Sequence, residues 1–250
     1  MLDRFSRTEL LLGEDGMNIL KNSRVAIFGI GGVGGYIAEA LARCGIGTLD
    51  LIDSDKVSLS NINRQIFALD STIGQYKTDV ALKRCHEINP SLTVNTYNTF
   101  VTPENASEFE YSEYDYVVDA IDTVTGKIAI IENAICNNNK IISCMGAGNK
   151  FDPLAFEISD IYGTAVCPLA RVMRRELKKR GIKSLKVLYS KEIASTPLEY
   201  MADETDKSSV AGGKKSPPGS LVFTVAVAGL IIAGEVVKDL TGLHGCGSGI

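Results

Sequence analysis

The sequence lacks the cysteine spacing of a zinc ribbon. Its six cysteines, Cys44, Cys85, Cys136, Cys144, Cys167 and Cys246, are scattered, and no two stand as C-x-x-C. Its two histidines, His86 and His244, have no partners at metal-ligand spacing. No structural zinc is therefore expected. The thiols, several of them inside apolar runs, fit a reduced, cytoplasmic protein. Positive charge is not in excess either: 26 Lys and Arg stand against 30 Asp and Glu, a net charge of −4, so any nucleic-acid site has to be a local patch. The first residues carry Asp3, Arg4, Arg7 and Glu9 where a signal peptide would have an apolar core. One apolar run, 221–237, approaches the length of a membrane span. Glu235 interrupts its end, and Ala226, Ala228, Gly229, Ala233 and Gly234 punctuate it. Close helix packing or a dimer interface explains such a run better than stable membrane insertion.

What is present centres on residues 25–34, V-A-I-F-G-I-G-G-V-G. A short apolar strand runs into Gly29, Gly31, Gly32 and Gly34, and a second apolar run, 48–52, ends on Asp53. This is the G-x-G-x-x-G arrangement between a strand and a helix, with an acid at the tip of the next strand. Glycines let the backbone turn tightly against a phosphate, and the helix start offers unpaired N–H groups and a positive dipole end. The acid suits a ribose diol. The motif predicts an adenine-nucleotide site and leaves open whether the nucleotide serves hydride transfer or activation by ATP.

Strand-like runs at 24–28, 48–53, 93–98, 116–121 and 140–144 alternate with helical patterns at 35–44, 77–89 and 126–138. Helix 77–89 places Val80, Ala81, Cys85 and Ile88 on one stripe. This order predicts an α/β fold: a Rossmann-like, doubly wound, mostly parallel sheet with helices on both faces. Ligands bind past the carboxyl ends of such strands, where 116–121 delivers Asp119 and Asp122. Ser6 and Glu9 fit a capping box for an amphipathic stretch at 6–16 whose apolar side is Leu10, Leu11 and Leu12. After residue 150 the expected elements are strands at 156–159 and 185–189, a helix at 168–180, a polar crossover loop at 202–220 and the long apolar helix at 221–237. The whole chain, 1–250, reads as one domain: a nucleotide-binding core over 1–150 and a C-terminal α/β extension over 151–250.

The residues after Asp53 sharpen the nucleotide reading. They include Asp55, Asn61, Arg64 and Gln65, and Lys77 opens the next helix. A dehydrogenase has no need of Arg64 and Lys77 there. An enzyme that splits ATP between its α and β phosphates does, because charge grows on the departing pyrophosphate. Arginine grips phosphate in a two-pronged fork and lysine supplies a point charge. Asp122, at the tip of the fourth strand, suits a magnesium ion held between phosphate oxygens.

The set Arg4-Phe5-Ser6-Arg7, Gly29–Gly34, Asp53, Ser60-Asn61-x-x-Arg64-Gln65, Lys77 and Asp119-Ala120-Ile121-Asp122 resembles the ubiquitin-activating-type adenylyltransferase superfamily. The resemblance implies that the glycine loop and Asp53 bind adenosine, that Asn61, Arg64 and Lys77 contact phosphates, and that Asp122 supports magnesium. It further implies a homodimer in which Arg7 reaches the second subunit's site. The superfamily's sulfur-carrier activators usually carry two C-x-x-C pairs, absent here. The sequence is instead similar to the tRNA threonylcarbamoyladenosine dehydratase branch, through Asn63-Arg64-Gln65-Ile66-x-Ala68-Leu69, Ile88-Asn89-Pro90, Phe100-Val101-Thr102-Pro103-Glu104-Asn105 and Gly146-Ala147-Gly148-x-x-x-Asp152-Pro153. That branch uses ATP to dehydrate the threonylcarbamoyl group on an adenosine beside the tRNA anticodon, closing it into a ring. The resemblance implies the same activity here, with ATP and magnesium as cofactors, tRNA as partner, a possible sulfur-transfer protein as a further partner, and residues 151–250 on the substrate and dimer side. Activation of the C-terminus of a small ubiquitin-like or sulfur-carrier protein is the alternative.

One dense basic run stands on this acidic chain: Arg171, Arg174, Arg175, Lys178, Lys179 and Arg180, with Lys183 and Lys186 beyond. It reads either as a tRNA backbone contact or as the solvated face of a helix that turns Val172, Met173 and Leu177 to the core. Lys214 and Lys215 suit a loop over substrate or plain solubility. Cys167 stands where some superfamily members carry a thioester-forming cysteine; a buried thiol is the simpler reading. Asp119 either orients magnesium or satisfies loop N–H groups.

Overall fold

A computed structural model describes residues 3–198 and 218–242. Most of the expected crossover loop, with Lys214 and Lys215, falls outside the described residues, as do His244 and Cys246.

Seven strands form one sheet: β1 (Arg24–Phe28), β2 (Thr48–Ile52), β3 (Thr93–Tyr97), β4 (Tyr116–Asp119), β5 (Lys140–Cys144), β6 (Phe156–Asp160) and β7 (Lys186–Ser190). Their order is β3-β2-β1-β4-β5-β7-β6. All neighbouring pairs are parallel except β6 with β7. The α/β expectation holds, and the C-terminal strands extend the same sheet. Parallel strands covered on both faces need apolar side chains on both, which is why 25–28 of β1 and 116–118 of β4 read as continuous apolar runs. Ile27, Leu49 and Val118 are wholly buried, each worth about 1.5–3 kcal/mol relative to exposure.

Two helical layers cover the sheet. On one face lie α1 (Ser6–Asn22), α2 (Gly34–Cys44), α3 (Lys77–Ile88) and α6 (Val222–Thr241). On the other lie α4 (Val124–Cys136) and α5 (Pro168–Lys179), with a tyrosine cluster at Tyr111 and Tyr114 beside them. Val80, Ala81 and Cys85 of α3 are buried as the stripe requires. The chain runs from β1 outward to β3 and then returns to place β4 on the other side of β1. That reversal opens a crevice at the carboxyl ends of β1 and β4.

Three expectations are corrected. The Ser6–Glu9 capping box does not form. Phe5 is the N-cap of α1 without a side-chain cap, and Ser6 Oγ instead donates to Asp3 Oδ1 at 3.0 Å. Asp3 wins because its carboxylate also accepts from the Phe5 N–H at 2.9 Å. The helix also runs on to Asn22 through a kink at Gly13 (φ 69°), and Leu10 and Leu11 are exposed instead of packed. Finally, the long apolar helix is not apolar along its length. Its last turns carry Glu235, Lys238 and Asp239, and its buried stripe is Thr224, Val225, Ala228, Gly229, Ile232, Ala233 and Val236. No helix among the described residues is long and apolar enough to cross a membrane.

Gly229 explains how α6 reaches the crevice. A Cβ there would lie 2.6 Å from the Val33 carbonyl and 2.8 Å from Tyr36 Cβ. Only glycine lets the two helices approach so closely, and the approach sets Val225 against Gly32 at the crevice rim.

Candidate nucleotide and phosphate site

A cleft of ≈ 330 Å³ opens at the carboxyl ends of β1, β2 and β4. It gathers Gly29, Gly31, Gly32, Asp53, Asp55, Asn61, Arg64, Lys77 and Asp122, drawn from five separate stretches of chain. Gly29 starts the turn at φ 92°, and a Cβ there would meet the Ala120 carbonyl at 2.8 Å. The N–H groups of Gly31, Gly32 and Val33 make no hydrogen bond within the described residues. They sit at the start of α2, the arrangement that receives a phosphate. Gly34 stands behind the other motif glycines. It does not line the cleft; a Cβ there would lie 1.8 Å from the Gly29 carbonyl, so its task is to let the helix start press against the loop.

Asp53 follows β2. Its Oδ2 accepts from the Ile30 N–H at 2.7 Å and its Oδ1 from the Asp55 N–H at 2.8 Å. A carboxylate has lone pairs beyond these two bonds. Burial pushes the Asp53 carboxyl above its ordinary range, against the pull of Lys77 and of the two N–H donors. Lys77, nearly buried on the first turn of α3, pairs with Asp55 at 2.7 Å and stands 3.8 Å from Asp53. Asn61 ends a short 3-10 turn at Leu59–Asn61, where its Oδ1 accepts from the Ser58 N–H at 3.2 Å, leaving its amide N–H groups without a partner among the described residues. Arg64 is half-buried. Its Nη1 donates to the Ser60 carbonyl at 2.8 Å and to Asn63 Oδ1 at 3.0 Å. Asn63 in turn donates to the Ser220 carbonyl, tying this turn to the segment that enters α6.

The two aspartates after β4 part company. Asp122 is exposed on the cleft wall, without a partner among the described residues. Asp119 is wholly buried behind that wall, paired with Lys127 at 3.0 Å and accepting from Ser143 Oγ at 2.6 Å. It also accepts from the Ile121 N–H at 3.3 Å, so it satisfies the loop and does not face a ligand. Lys127 and Ser143 were not legible as site residues. The signal was a lone lysine within V-T-G-K-I-A-I-I, a helix otherwise apolar on its buried side.

Arg7 does not join the cleft of its own chain. The start of α1 lies at the amino ends of β2 and β3: Phe5 packs near Gly45, and Arg4 Nη1 donates to the Ile88 carbonyl at 2.7 Å. A five-residue strand, roughly 13–17 Å long, separates that end from the cleft.

The basic run forms α5 and the residue after it. Met173 and Leu177 are buried, as its apolar side requires. The charges are unequal. Arg174 turns inward and donates to the Thr164 carbonyl at 2.9 Å. Arg175, Lys179 and Arg180 all pair with Glu176, at 3.2, 3.0 and 3.1 Å. Their hydrogen bonds, led by that from Lys179, hold the Glu176 carboxyl down at about 2. Arg171 and Lys178 are exposed without such partners. Cys167 is buried where α5 begins, with its Sγ toward Gly146, as a packed thiol. Among the described residues no three His, Cys, Asp or Glu side chains gather as a metal site. Asp122 alone still fits magnesium that arrives with a nucleotide, since that ion keeps waters and phosphate oxygens and needs only one or two carboxylates.

Known proteins resemble this chain over nearly its whole length. The ThiF family profile matches residues 5–247. The tRNA threonylcarbamoyladenosine dehydratase of Bacillus subtilis strain 168 is 44% identical over 242 residues, spanning 96% of this chain and 95% of that protein. The Escherichia coli K12 protein of the same name is 35% identical over 251 residues, spanning 95% of this chain and 93% of its own length. The crystal structure of the E. coli enzyme, TcdA, in complex with AMP superposes with a TM-score of 0.85 at 32% identity, covering 96% of this chain and 94% of that one. A second crystal structure of TcdA holds ATP, with a TM-score of 0.84. On sequence and on fold, this chain belongs to the ThiF family and, within it, groups with the tRNA threonylcarbamoyladenosine dehydratases.

Proposed function

We propose that this protein uses ATP to dehydrate threonylcarbamoyladenosine beside the anticodon of tRNA, closing the threonylcarbamoyl group into a ring. The observation that carries the reading is the meeting of Gly31, Asp53, Arg64, Lys77 and Asp122 in one cleft. In this reading the substrate carboxylate attacks the α-phosphorus of ATP, forming an acyl-adenylate and releasing pyrophosphate. A nucleophile within the substrate then attacks the activated carbonyl, and AMP departs with the carboxylate oxygen. The enzyme needs no covalent nucleophile of its own, which agrees with a buried Cys167.

The residues divide the work. Asp53 takes the ribose, and the N–H groups of Gly31 and Gly32 take phosphate. Arg64 and Lys77 offset charge that grows on the bridging and departing oxygens. Asn61 donates its amide N–H groups to a phosphate oxygen. Asp122 holds magnesium, which would supply further positive charge between the phosphates. The chain works as a homodimer with Arg7 reaching the neighbour's cleft. Its place at the far end of its own sheet supports this, as do the exposed Leu10 and Leu11 of α1 and Phe223 and Leu230 of α6. Residues 1–150 serve the nucleotide, and 151–250 serve tRNA and the dimer. Helix α5 contacts the tRNA backbone, chiefly through Arg171 and Lys178. A tRNA substrate sets the work in the cytoplasm, where a sulfur-transfer protein is a possible further partner.

The direct experiment incubates the protein with ATP, magnesium and tRNA from cells lacking the dehydratase, then weighs the nucleosides. Threonylcarbamoyladenosine is expected to lose one water. Unchanged nucleoside mass, with ATP consumed only when a carrier protein is supplied, would move the function to carrier-protein activation.

A further inference from the structure

Lys127 and Asp119 are both wholly buried. Lys127 Nζ lies 3.1 Å from Asp119 Oδ1 and 3.0 Å from Oδ2, and it also donates to Ser143 Oγ at 3.4 Å. None of the three lines the cleft, but the residues that follow Asp119 form its wall. The link between them is short. Asp119 Oδ1 accepts the Ile121 N–H, which fixes the turn on which Asp122 rides. On its other side the turn is pressed against Gly29, whose Cβ position lies 2.8 Å from the Ala120 carbonyl.

The pair is costly where it stands. Both charges are removed from water, and Lys127 closes the first turn of α4, near the positive end of its dipole. An apolar side chain would fill the same space without that cost. It would not hold the Asp119 carboxylate in one orientation. With Lys127 and Ser143 donating to its oxygens, that carboxylate is fixed and can present Oδ1 to Ile121.

We propose that the buried Lys127–Asp119 pair, braced by Ser143, is a positioning device that aims Asp122 into the cleft. The inference rests on the adenylation reading above, in which Asp122 serves ATP phosphates and magnesium. Lys127 and Asp119 are positioning residues; they touch no substrate.

Two variants test it. Lys127→Met combined with Asp119→Asn removes both charges together and strands neither, while Ser143→Ala removes one brace. The first readout is amide hydrogen exchange in the ligand-free protein. Exchange at Ile121 and Asp122 is expected to quicken by about tenfold or more in the double variant, with the β1 amides unchanged, as for local opening. The second is the magnesium concentration that gives half-maximal pyrophosphate release with threonylcarbamoyladenosine-bearing tRNA. It is expected to rise about 10–100-fold, the usual scale for losing an outer support of a metal ligand, with ATP affinity in the absence of magnesium unchanged. Ser143→Ala is expected to move both readouts the same way by less, and it decides the matter if the double variant does not fold. Unchanged exchange at 121–122 in a folded variant, or exchange quickened equally throughout the sheet, would overturn the positioning role. A wild-type protein that releases no pyrophosphate with this tRNA would overturn the adenylation reading itself.

Discussion

Lys77 Nζ stands 2.7 Å from Asp55 and 3.8 Å from Asp53, so the acid suited to the ribose and a cation suited to the phosphates are neighbours. Asp55 is mostly exposed and Lys77 nearly buried. The ammonium is therefore held at the cleft by an exposed carboxylate and can exchange it for a phosphate oxygen at little cost. Asp53, Asp55 and Lys77 thus form a single ionic cluster at the cleft.

Asp53→Ala is expected to weaken ATP binding by about 1–3 kcal/mol, the cost of losing a charged hydrogen-bond partner. Isothermal calorimetry checks this. Because Asp53 also accepts from the Ile30 and Asp55 N–H groups, Asp53→Asn should weaken binding less than Asp53→Ala. Unchanged affinity in both variants would take the ribose away from Asp53.

Arg64→Ala and Lys77→Ala are each expected to reduce turnover by on the order of a hundredfold, with a smaller loss of ATP affinity, since they meet charge that grows in the transition state. Single-turnover pyrophosphate release with substrate tRNA is the measurement. Loss of affinity in proportion to loss of rate would make them ground-state binders.

Arg7 offers a test of subunit sharing. Arg7→Ala and Lys77→Ala homodimers should each be inactive. Mixed and allowed to exchange subunits, they should recover part of the activity, because a hybrid dimer carries one intact site. No recovery after demonstrated exchange would confine Arg7 to its own chain.

Helix α5 should bind tRNA through its unpaired cations. Arg171→Ala and Lys178→Ala are each expected to reduce the slope of log affinity against log salt by about 1. Arg174→Ala should not act as a lost phosphate contact, because its guanidinium is spent on Thr164. Glu176→Gln, which frees Arg175 and Lys179 and leaves Arg180 paired with Glu132 at 3.2 Å, should tighten tRNA binding at low salt. Filter-binding titrations over a salt series read all four variants; slopes equal to wild type in the two alanine variants at 171 and 178 would leave α5 a solvated face.

The parallel core was legible because its signals are local. Runs such as 25–28 and 116–118 are apolar, and α3 keeps its stripe. The cleft was legible because its glycines, Asp53, Arg64 and Lys77 occur as motifs. What the sequence hid depends on distant partners. Gly34 and Gly29 share one motif, yet only their packing shows that one lines the cleft and the other presses a helix against it. Asp119 and Asp122 are three residues apart, and only Lys127 and Ser143 decide which faces inward. The engagement of the α5 cations by Glu176 and Thr164 is likewise a matter of side-chain direction.

Passage of the substrate carboxylate through an adenylate in this cleft is the expected course of the reaction. It is tested most directly with tRNA whose threonylcarbamoyl carboxylate carries heavy oxygen, ATP of ordinary isotope content, and mass analysis of the nucleotide released. The AMP formed should carry one heavy oxygen for each ring closed, and pyrophosphate should carry none. Ring closure with unlabelled AMP, or with ADP and phosphate as the nucleotide products, would contradict it.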